Sequence, residues 1–196
     1  MTCWQCGADA SGLNCDACGT IQPPDPRLDH FARLGLERRF EQDTGEIAAN
    51  HRQRQRKVHP DRYTHKSPRE RRLSLEHATA LNDATRALRD PRNRADYLLK
   101  LRGVDLDAEG KGRIQISPLF LMEVLELREA LAELEGPDAH TERARLTRSV
   151  VGRYESTLAD LGRGLDADDP VEPLTQAAVQ LRYLRRVIDE LETLDE

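Results

Sequence analysis

Residues 52–61 read RQRQRKVHPD and join a basic helical pattern to a proline-containing turn. No proline interrupts Thr44–Val58, so we predict one helix over that range. Pro60 ends it, because proline disfavours helical backbone angles in the residue before it. A second helical pattern covers Pro68–Arg89, so the two form an antiparallel hairpin with His59-Pro60-Asp61 at its tip. The periodic positions of the second helix are Leu73, His77, Leu81, Ala84 and Leu88.

The tip of this hairpin admits three interpretations. A His-Pro-Asp tripeptide arises often by chance and is then an ordinary turn. A His/Asp catalytic pair is the second, but the sequence offers no nucleophile, glycine-rich loop or second cluster to complete it. The third is a docking surface, which the basic side chains leading into the turn favour. Those side chains are Arg52, Arg54, Arg56 and Lys57.

The composition favours helices. Of the 196 residues, 33% are charged and only 4% are aromatic, whereas strands favour β-branched and aromatic residues. The length allows one or two small domains. No apolar run approaches the ~20 residues that a membrane span needs. We also expect no signal peptide, because Met1-Thr2-Cys3 leaves no room for one. We therefore expect a cytoplasmic protein without a membrane partner.

The charge is unevenly distributed along the chain. The net charge of −5 argues against a general nucleic-acid-binding protein. Residues 44–94 nevertheless carry 13 Lys and Arg against 6 Asp and Glu, while the flanking regions are acidic. This basic block is either a solvated helix face or a surface that steers an acidic partner toward the hairpin.

Breaks in the pattern divide the chain into three predicted domains within an all-α fold. They are a four-cysteine knuckle over residues 1–22, the helical-hairpin domain over 28–102 and an antiparallel three-helix bundle over 103–196. The proline-rich residues 23–26 form a stiff linker after the first. Within the last domain, connections are expected at 103–117 (with Gly110 and Gly112), near Gly136-Pro137, and between Gly162 and Pro173.

All four cysteines fall in two similar units, Cys3-Trp4-Gln5-Cys6-Gly7 and Cys15-Asp16-Ala17-Cys18-Gly19. A two-residue gap lets both thiolates of a unit face one ion, and the following glycine permits a tight turn. A segment this short cannot build a core. We therefore expect metal ligation to supply its folding energy. Structural Zn²⁺ is the favoured ion. A disulfide pair and a rubredoxin-like iron site are the alternatives. Four thiolates leave no open position, so we expect no catalysis here.

The first helix of the bundle, predicted over 118–135, carries two different faces. One stripe of apolar residues at spacings of three and four predicts the bundle core: Phe120, Val124, Leu127, Leu131 and Leu134. The opposite face combines apolar and acidic residues, with Leu121 at its edge: Met122, Leu125, Glu126, Glu129 and Glu133. Such a patch is either a docking surface or packs on a neighbouring element. In the last helix, Tyr183 points away from the core stripe, whose members are Leu174, Ala177, Leu181, Leu184, Ile188 and Leu191.

Several motifs resemble the HscB co-chaperone family of iron–sulfur cluster biogenesis, and the hairpin then resembles its J domain. Besides His59-Pro60-Asp61, they are Asp29-His30-Phe31, Asn82-Asp83-Ala84, Leu88-Arg89-Asp90-Pro91, RADYLL at 94–99, FLME at 120–123, LELRE at 125–129 and LRYL at 181–184. The cysteine units followed by IQPPDP at 21–26 look like the zinc-bearing branch of the family. The resemblance covers essentially the whole chain.

The resemblance implies a J-type co-chaperone with two protein partners and no enzyme activity of its own. Asp61 would pair with an arginine of an HscA-like, DnaK-type chaperone, with His59 and Pro60 fixing the turn. The basic residues Arg52, Arg56 and Lys57 would dock on an acidic patch of that chaperone and speed ATP hydrolysis. The second partner would be an IscU-like iron–sulfur cluster scaffold. Its contacts would be Leu121, Met122, Leu125, Glu126, Glu129, Glu133 and Tyr183, and Cys3, Cys6, Cys15 and Cys18 would hold structural Zn²⁺.

One feature departs from the family. J domains of the family usually carry large apolar residues where this chain has His51 and Arg54. We expect His51 to be a packed core residue, and either a register shift or packing of the Arg54 stem with its guanidinium turned outward. Two other functions remain open. One is a general J-domain co-chaperone for misfolded clients, and the other is a zinc-dependent nucleic-acid-binding adaptor, against which the lack of Lys and Arg in the knuckles argues.

Overall fold

The computed structural model describes residues 1–107, 116–134 and 139–194. These residues form seven α-helices, and they contain no strand beyond two isolated bridges near the N-terminus. The all-α prediction is therefore confirmed. The helices are α1 (His30–Leu34), α2 (Thr44–Val58), α3 (Pro68–Arg89), α4 (Pro91–Leu101), α5 (Pro118–Ala132), α6 (Ala139–Asp166) and α7 (Val171–Leu194). The helices of the described ranges are too polar or too short to cross a membrane.

The chain forms two compact units. The first comprises Met1–Arg38 and Gln42–Asn93, and the second comprises Arg39–Glu41 and Arg94–Glu196. Of the predicted connections, Gly110, Gly112 and the Gly136-Pro137 break lie outside the described residues. The break before Pro173 falls between α6 and α7.

Local sequence explains where the helices of the first unit begin and end. The Asp29 carboxylate accepts the N–H of Ala32 at 2.8 Å and starts α1. Ser67 and Glu70 form a reciprocal capping box at the start of α3. The predicted bounds of α2 and α3 are confirmed. Pro60 limits where α2 can end, and the Ser67 capping box fixes where α3 begins.

The core of the first unit lies between α1, α2 and α3. All five periodic positions of α3 are buried, as predicted. Each fully buried Leu or Phe contributes roughly 1.5–3 kcal/mol relative to an exposed one. This burial holds α1, α2 and α3 together. Its main members are Phe31, Leu34, Ile47, Val58, Leu73, Leu81, Ala84 and Leu88.

His51 and Arg54 do not behave as the sequence suggested. His51 is only half-buried, and its Nε2 lies 3.0 Å from Oδ1 of Asn82, which is itself exposed. The prediction that His51 is a core residue is therefore wrong, because the position lies at the margin of the α2–α3 contact. The guanidinium of Arg54 lies against Gly35 rather than pointing outward, and a Cβ at position 35 would collide with it. No register shift is needed, since α2 keeps its predicted bounds.

The second unit is built on the three helices α5, α6 and α7. Its main cluster buries Phe120, Val124 and Leu131 against α6 and α7, with Leu127 and Leu134 packed at the margin. The predicted core stripe of α5 is confirmed. The remaining buried members are Val150, Leu184, Val187, Ile188 and Leu191.

Polar contacts tie further segments into the second unit. Arg182 of α7 donates to Asp96 at 2.9 Å and to Asp107 at 2.7 Å. The carboxylate of Asp166 at the end of α6 accepts the backbone N–H groups of Phe40 and Glu41. These contacts hold α4 and the Arg39–Glu41 segment on the bundle.

Candidate interaction and metal sites

The hairpin tip presents an acid on a tightly bonded turn. Pro60–Tyr63 forms a short 3-10 helix, and Nδ1 of His59 accepts the N–H of Asp61 at 3.3 Å. The N–H of Arg62 donates to the His59 carbonyl at 3.0 Å. The side chain of Asp61 is 88% exposed. The turn therefore has a fixed backbone and a carboxylate that is available to a partner.

Residues behind the tip hold it in place. The buried hydroxyl of Ser74 on α3 donates to the carbonyl of Val58 at 2.6 Å. The hydroxyl of Tyr63 donates to the carbonyl of Lys57 at 3.2 Å. Both carbonyls belong to the last turn of α2, where a helix leaves its C=O groups unpaired. Sequence reasoning missed both donors, although a serine on the apolar face of α3 and an aromatic residue in a polar turn were signals.

A basic groove adjoins the tip. Of the predicted chaperone-binding residues, Arg52, Arg56 and His59 line it together, while Lys57 is exposed nearby on the same helix turn. Arg62 also lines the groove and donates to the carbonyl of Arg56 at 3.1 Å. Sequence reasoning did not single out Arg62. The groove concentrates positive charge next to an exposed acid, which suits a partner that carries both signs of charge.

The four cysteines converge on one point. Their sulfur atoms all lie within 4.8 Å of one another, and the Cys3–Cys18 and Cys6–Cys15 sulfur pairs are each 3.7 Å apart. Four sulfurs at about 2.3 Å from a central ion in tetrahedral geometry lie about 3.8 Å from each other. The cysteines therefore fit a closed metal site. The predicted glycine turns are also present, since Gly7 and Gly19 have φ values of 76° and 73°.

The protonation behaviour of these thiols shows how closely they are crowded. Burial alone would raise the pKa of Cys3, but hydrogen bonds from the backbone of Cys6 and Gln5 lower it to about 6. A backbone hydrogen bond from Ala8 would lower the pKa of Cys6, but the neighbouring sulfurs, with burial, raise it to about 12. Several thiolates cannot share this space unless a cation neutralises them.

The outer face of α5 exposes apolar side chains. Met122 and Leu125 are each 56% exposed and Leu121 is 36% exposed. Leu119, three residues before Met122 and therefore on the same helix face, is 72% exposed. Sequence reasoning missed Leu119, although its spacing from Met122 was a usable signal. We call Leu119, Leu121, Met122 and Leu125 the apolar patch of α5.

Carboxylates border the apolar patch. Glu126, Glu129 and Glu133 are exposed, as predicted. Glu123 pairs with Arg153 at 2.7 Å, whereas Glu126 and Glu129 pair with no basic side chain in the described part of the chain. Two of the bordering acids are therefore available to basic groups of a partner.

Tyr183 lies at the margin of the bundle core. Its ring is half-buried and packs against the core cluster. The ring centroid lies 6.1 Å from that of Phe120, with the two planes perpendicular, which is a favourable edge-to-face contact. The expectation that Tyr183 points away from the core is therefore wrong, because Phe120 at the start of α5 provides an aromatic partner.

A helical hairpin tipped by His-Pro-Asp in one unit and a three-helix bundle in the other are typical of a co-chaperone of the J-domain type. The model of the family described as "HSCB C-terminal oligomerisation domain" matches residues 117–192. The iron-sulfur cluster co-chaperone protein HscB of Homo sapiens is 30% identical over 194 residues, covering 96% of this chain and 80% of the human protein.

A bacterial relative and a solved structure agree with that match. The co-chaperone protein HscB homolog of Ralstonia nicotianae is 39% identical over 163 residues, covering 81% of this chain and 89% of that protein. The crystal structure of human co-chaperone protein HscB superposes with a TM-score of 0.86 at 28% identity, covering 100% of this chain and 98% of that one. This chain belongs to the HscB family of co-chaperones.

Proposed function

We propose that this protein stimulates the ATPase of a DnaK-type chaperone, HscA-like in kind, and delivers an IscU-like iron–sulfur cluster scaffold to it. The observation that carries the proposal is the 88% exposed carboxylate of Asp61, on a turn whose flanking carbonyls are held by Ser74 and Tyr63. A carboxylate in this state can pair with a basic group of another protein at little conformational cost. The names of the family's curated members support the iron–sulfur assignment.

The charge around the tip supports a chaperone partner with an acidic surface. The three predicted residues Arg52, Arg56 and Lys57 are exposed on the last turns of α2 and lead directly to the tip. Charges arranged in this way raise the association rate and fix the orientation of docking. Asp61 would then form the central pair, with His59 and Pro60 holding the turn.

The outer face of α5 supports a separate client surface. Apolar groups of the patch would be buried on binding, and Glu126, Glu129 and Glu133 would pair with basic groups at the rim. Tyr183 would contribute only from the margin of the core. This surface and the tip are built from different residues of different units, so each partner would have its own set of contacts.

The metal of the four-cysteine site is proposed to be structural Zn²⁺. A closed site of four thiolates with sulfur spacings of 3.7 Å suits tetrahedral zinc. Cys3, Cys6, Cys15 and Cys18 would be its ligands, and the ion would fold the N-terminal segment. Metal analysis of the purified protein tests the identity of the ion, since bound iron in place of zinc would contradict it.

ATP hydrolysis by purified DnaK-type chaperone, measured with increasing amounts of this protein, tests the chaperone assignment. We expect Asp61→Asn to abolish stimulation while keeping the helical circular dichroism signal. Asp83→Asn is the matched control, because Asp83 is an exposed acid of the same unit whose ion pair with Arg86 is a surface pair. Stimulation by Asp61→Asn at the wild-type level would refute the proposal.

A further inference from the structure

The second cysteine turn contacts the hairpin tip directly. The side-chain amide of Asn14 donates to the carbonyl of Gly19 and to the hydroxyl of Tyr63, each at 3.1 Å. Tyr63 is only 6% exposed, and its hydroxyl donates in turn to the carbonyl of Lys57 at 3.2 Å. Two hydrogen bonds in series therefore connect the residue before Cys15 to the last turn of α2.

A second set of contacts fixes the cysteine segment, residues 1–22, on α3. The fully buried side chain of Gln22 donates to the Cys3 sulfur at 3.2 Å, and its backbone carbonyl lies 2.8 Å from Nε2 of His77. The guanidinium of Arg69 lies 4.1 Å above the ring of Trp4, and the Trp4 indole N–H donates to the Ile21 carbonyl at 2.7 Å. The segment is therefore held against the hairpin at two places.

The cysteine segment has almost no core of its own. Apart from Ile21 and Gln22 at its end, which are fully buried, its buried cluster consists of Cys3, Ala10 and Cys15, with Ala8 packed against it. Three small residues bury too little apolar surface to offset the entropy of ordering the segment. A metal bound by the four cysteines would therefore help to fix the position of Asn14.

We propose that Asn14 and Tyr63 are positioning residues for the His59-Pro60-Asp61 turn, and that metal bound by the four cysteines stabilises the conformation of that turn. The proposal rests on the proposed role of the turn in chaperone binding. The metal-bound segment serves as a brace: it acts on the tip through Asn14, the Tyr63 hydroxyl and the Lys57 carbonyl.

Hydrogen–deuterium exchange of the full chain loaded with Zn²⁺ tests the brace without any chaperone. We expect Asn14→Ala to speed exchange of the Arg62 amide and its neighbours in the turn about 10-fold, and exchange in the middle of α5 to stay unchanged. Tyr63→Phe should give a similar increase, and the double variant should add little to either, because all three break the same series of bonds. Removing Zn²⁺ from the wild type with a chelator should also speed exchange in the turn.

Gln5→Ala is the matched control, since Gln5 is an exposed amide side chain in the other cysteine turn. Unchanged exchange in the turn of both Asn14→Ala and Tyr63→Phe would overturn the proposal, as would an equal increase in Gln5→Ala. If Asn14→Ala loses zinc, Tyr63→Phe decides alone, because it leaves the cysteine segment untouched.

A kinetic measurement separates positioning from direct contact. In the chaperone ATPase assay, Asn14→Ala should raise the concentration for half-maximal stimulation about 5- to 10-fold, while saturating stimulation stays the same. A fall in saturating stimulation with an unchanged half-maximal concentration would contradict the positioning role. The exchange result is independent of the chaperone, so failure of Asp61 as a docking residue and failure of the brace are distinguishable.

Discussion

The hairpin tip and the outer face of α5 expose side chains in opposite ways. At the tip, a single acid is presented by a backbone that Ser74 and Tyr63 hold from behind. On α5, Met122 and Leu125 present apolar area, and the helix is fixed by the stripe on its other side. Binding at the tip therefore depends on the backbone position of a few charges, whereas binding at α5 depends on the apolar area that is buried. The two surfaces should respond differently to truncation, to salt and to the loss of an internal hydrogen bond.

Truncating the apolar patch should have the largest effect. Changing Leu121, Met122 and Leu125 together to Ala truncates three of the four members of the apolar patch, so we expect scaffold binding to weaken about 100-fold or more, on the order of 3 kcal/mol. Calorimetric titration with purified scaffold measures this. Leu75→Ala, at a 59% exposed leucine of α3, is the control and should bind normally. Affinity of the triple variant within about 3-fold of the wild type would remove the basis for the α5 surface.

Salt should separate the two surfaces next. Raising NaCl from about 50 mM to about 500 mM should weaken chaperone binding on the order of 10-fold and scaffold binding much less, since screening acts on exposed charges. Changing Arg52, Arg56 and Lys57 to Ala should reduce the salt dependence of chaperone binding, measured by surface plasmon resonance. The same charge change on α6, made at Arg145, Arg148 and Arg163, is the control. Equal salt dependence at both surfaces would contradict the comparison.

Loss of the Ser74 hydroxyl should affect the first unit only. Ser74→Ala leaves the Val58 carbonyl without its 2.6 Å partner in a buried position, which costs about 1–3 kcal/mol of unfolding free energy. Urea denaturation measures this cost. Ser117→Ala is the control, because Ser117 makes no side-chain capping bond at the start of α5. If the two variants are equally stable, the hydroxyl does not hold the tip.

The smallest expected effect is a dependence of folding stability on pH that comes from His77. Burial lowers the pKa of His77 below its ordinary value of 6.5, although the Gln22 carbonyl partly opposes this. The unfolded chain therefore takes up the proton first as the pH falls. The stability that neutral His77 contributes is complete above about pH 6.5 and is lost as the pH falls below it. Denaturation of His77→Gln between pH 7.5 and about 5.5 should show a weaker pH dependence than the wild type. His65→Gln, at an exposed histidine, is the control and should show the same pH dependence of stability as the wild type.

Much of the fold could be predicted from local signals. The bounds of α2 and α3 follow from Pro60, Pro68 and the periodic apolar residues between Leu73 and Leu88. The convergence of the cysteines follows from their spacing and the glycines after them. The two faces of α5 follow from a count at 100° per residue. Each of these signals lies within about 30 residues of sequence or within one helix.

What escaped prediction depends on contacts between distant segments. Asn14 and Tyr63 are 49 positions apart, and no periodicity connects a cysteine turn with a 3-10 helix. Tyr183 finds Phe120 only after α5 and α7 pack together. His51 sits at the edge of its helix contact, where a half-turn decides between core and solvent. Such side chains are placed by tertiary packing, which a single sequence does not encode locally.

The proposed division of roles assigns the tip and the α5 face to two different partners. Single-turnover ATP hydrolysis by the DnaK-type chaperone, measured with and without scaffold, tests it most directly. Wild-type protein and scaffold together should stimulate hydrolysis by more than the sum of what each stimulates alone. Asp61→Asn should bind scaffold yet give no stimulation, and the α5 triple variant should stimulate alone but show no added effect of scaffold. This division of roles would be contradicted if scaffold added to the stimulation by the triple variant, or if Asp61→Asn stimulated hydrolysis at all.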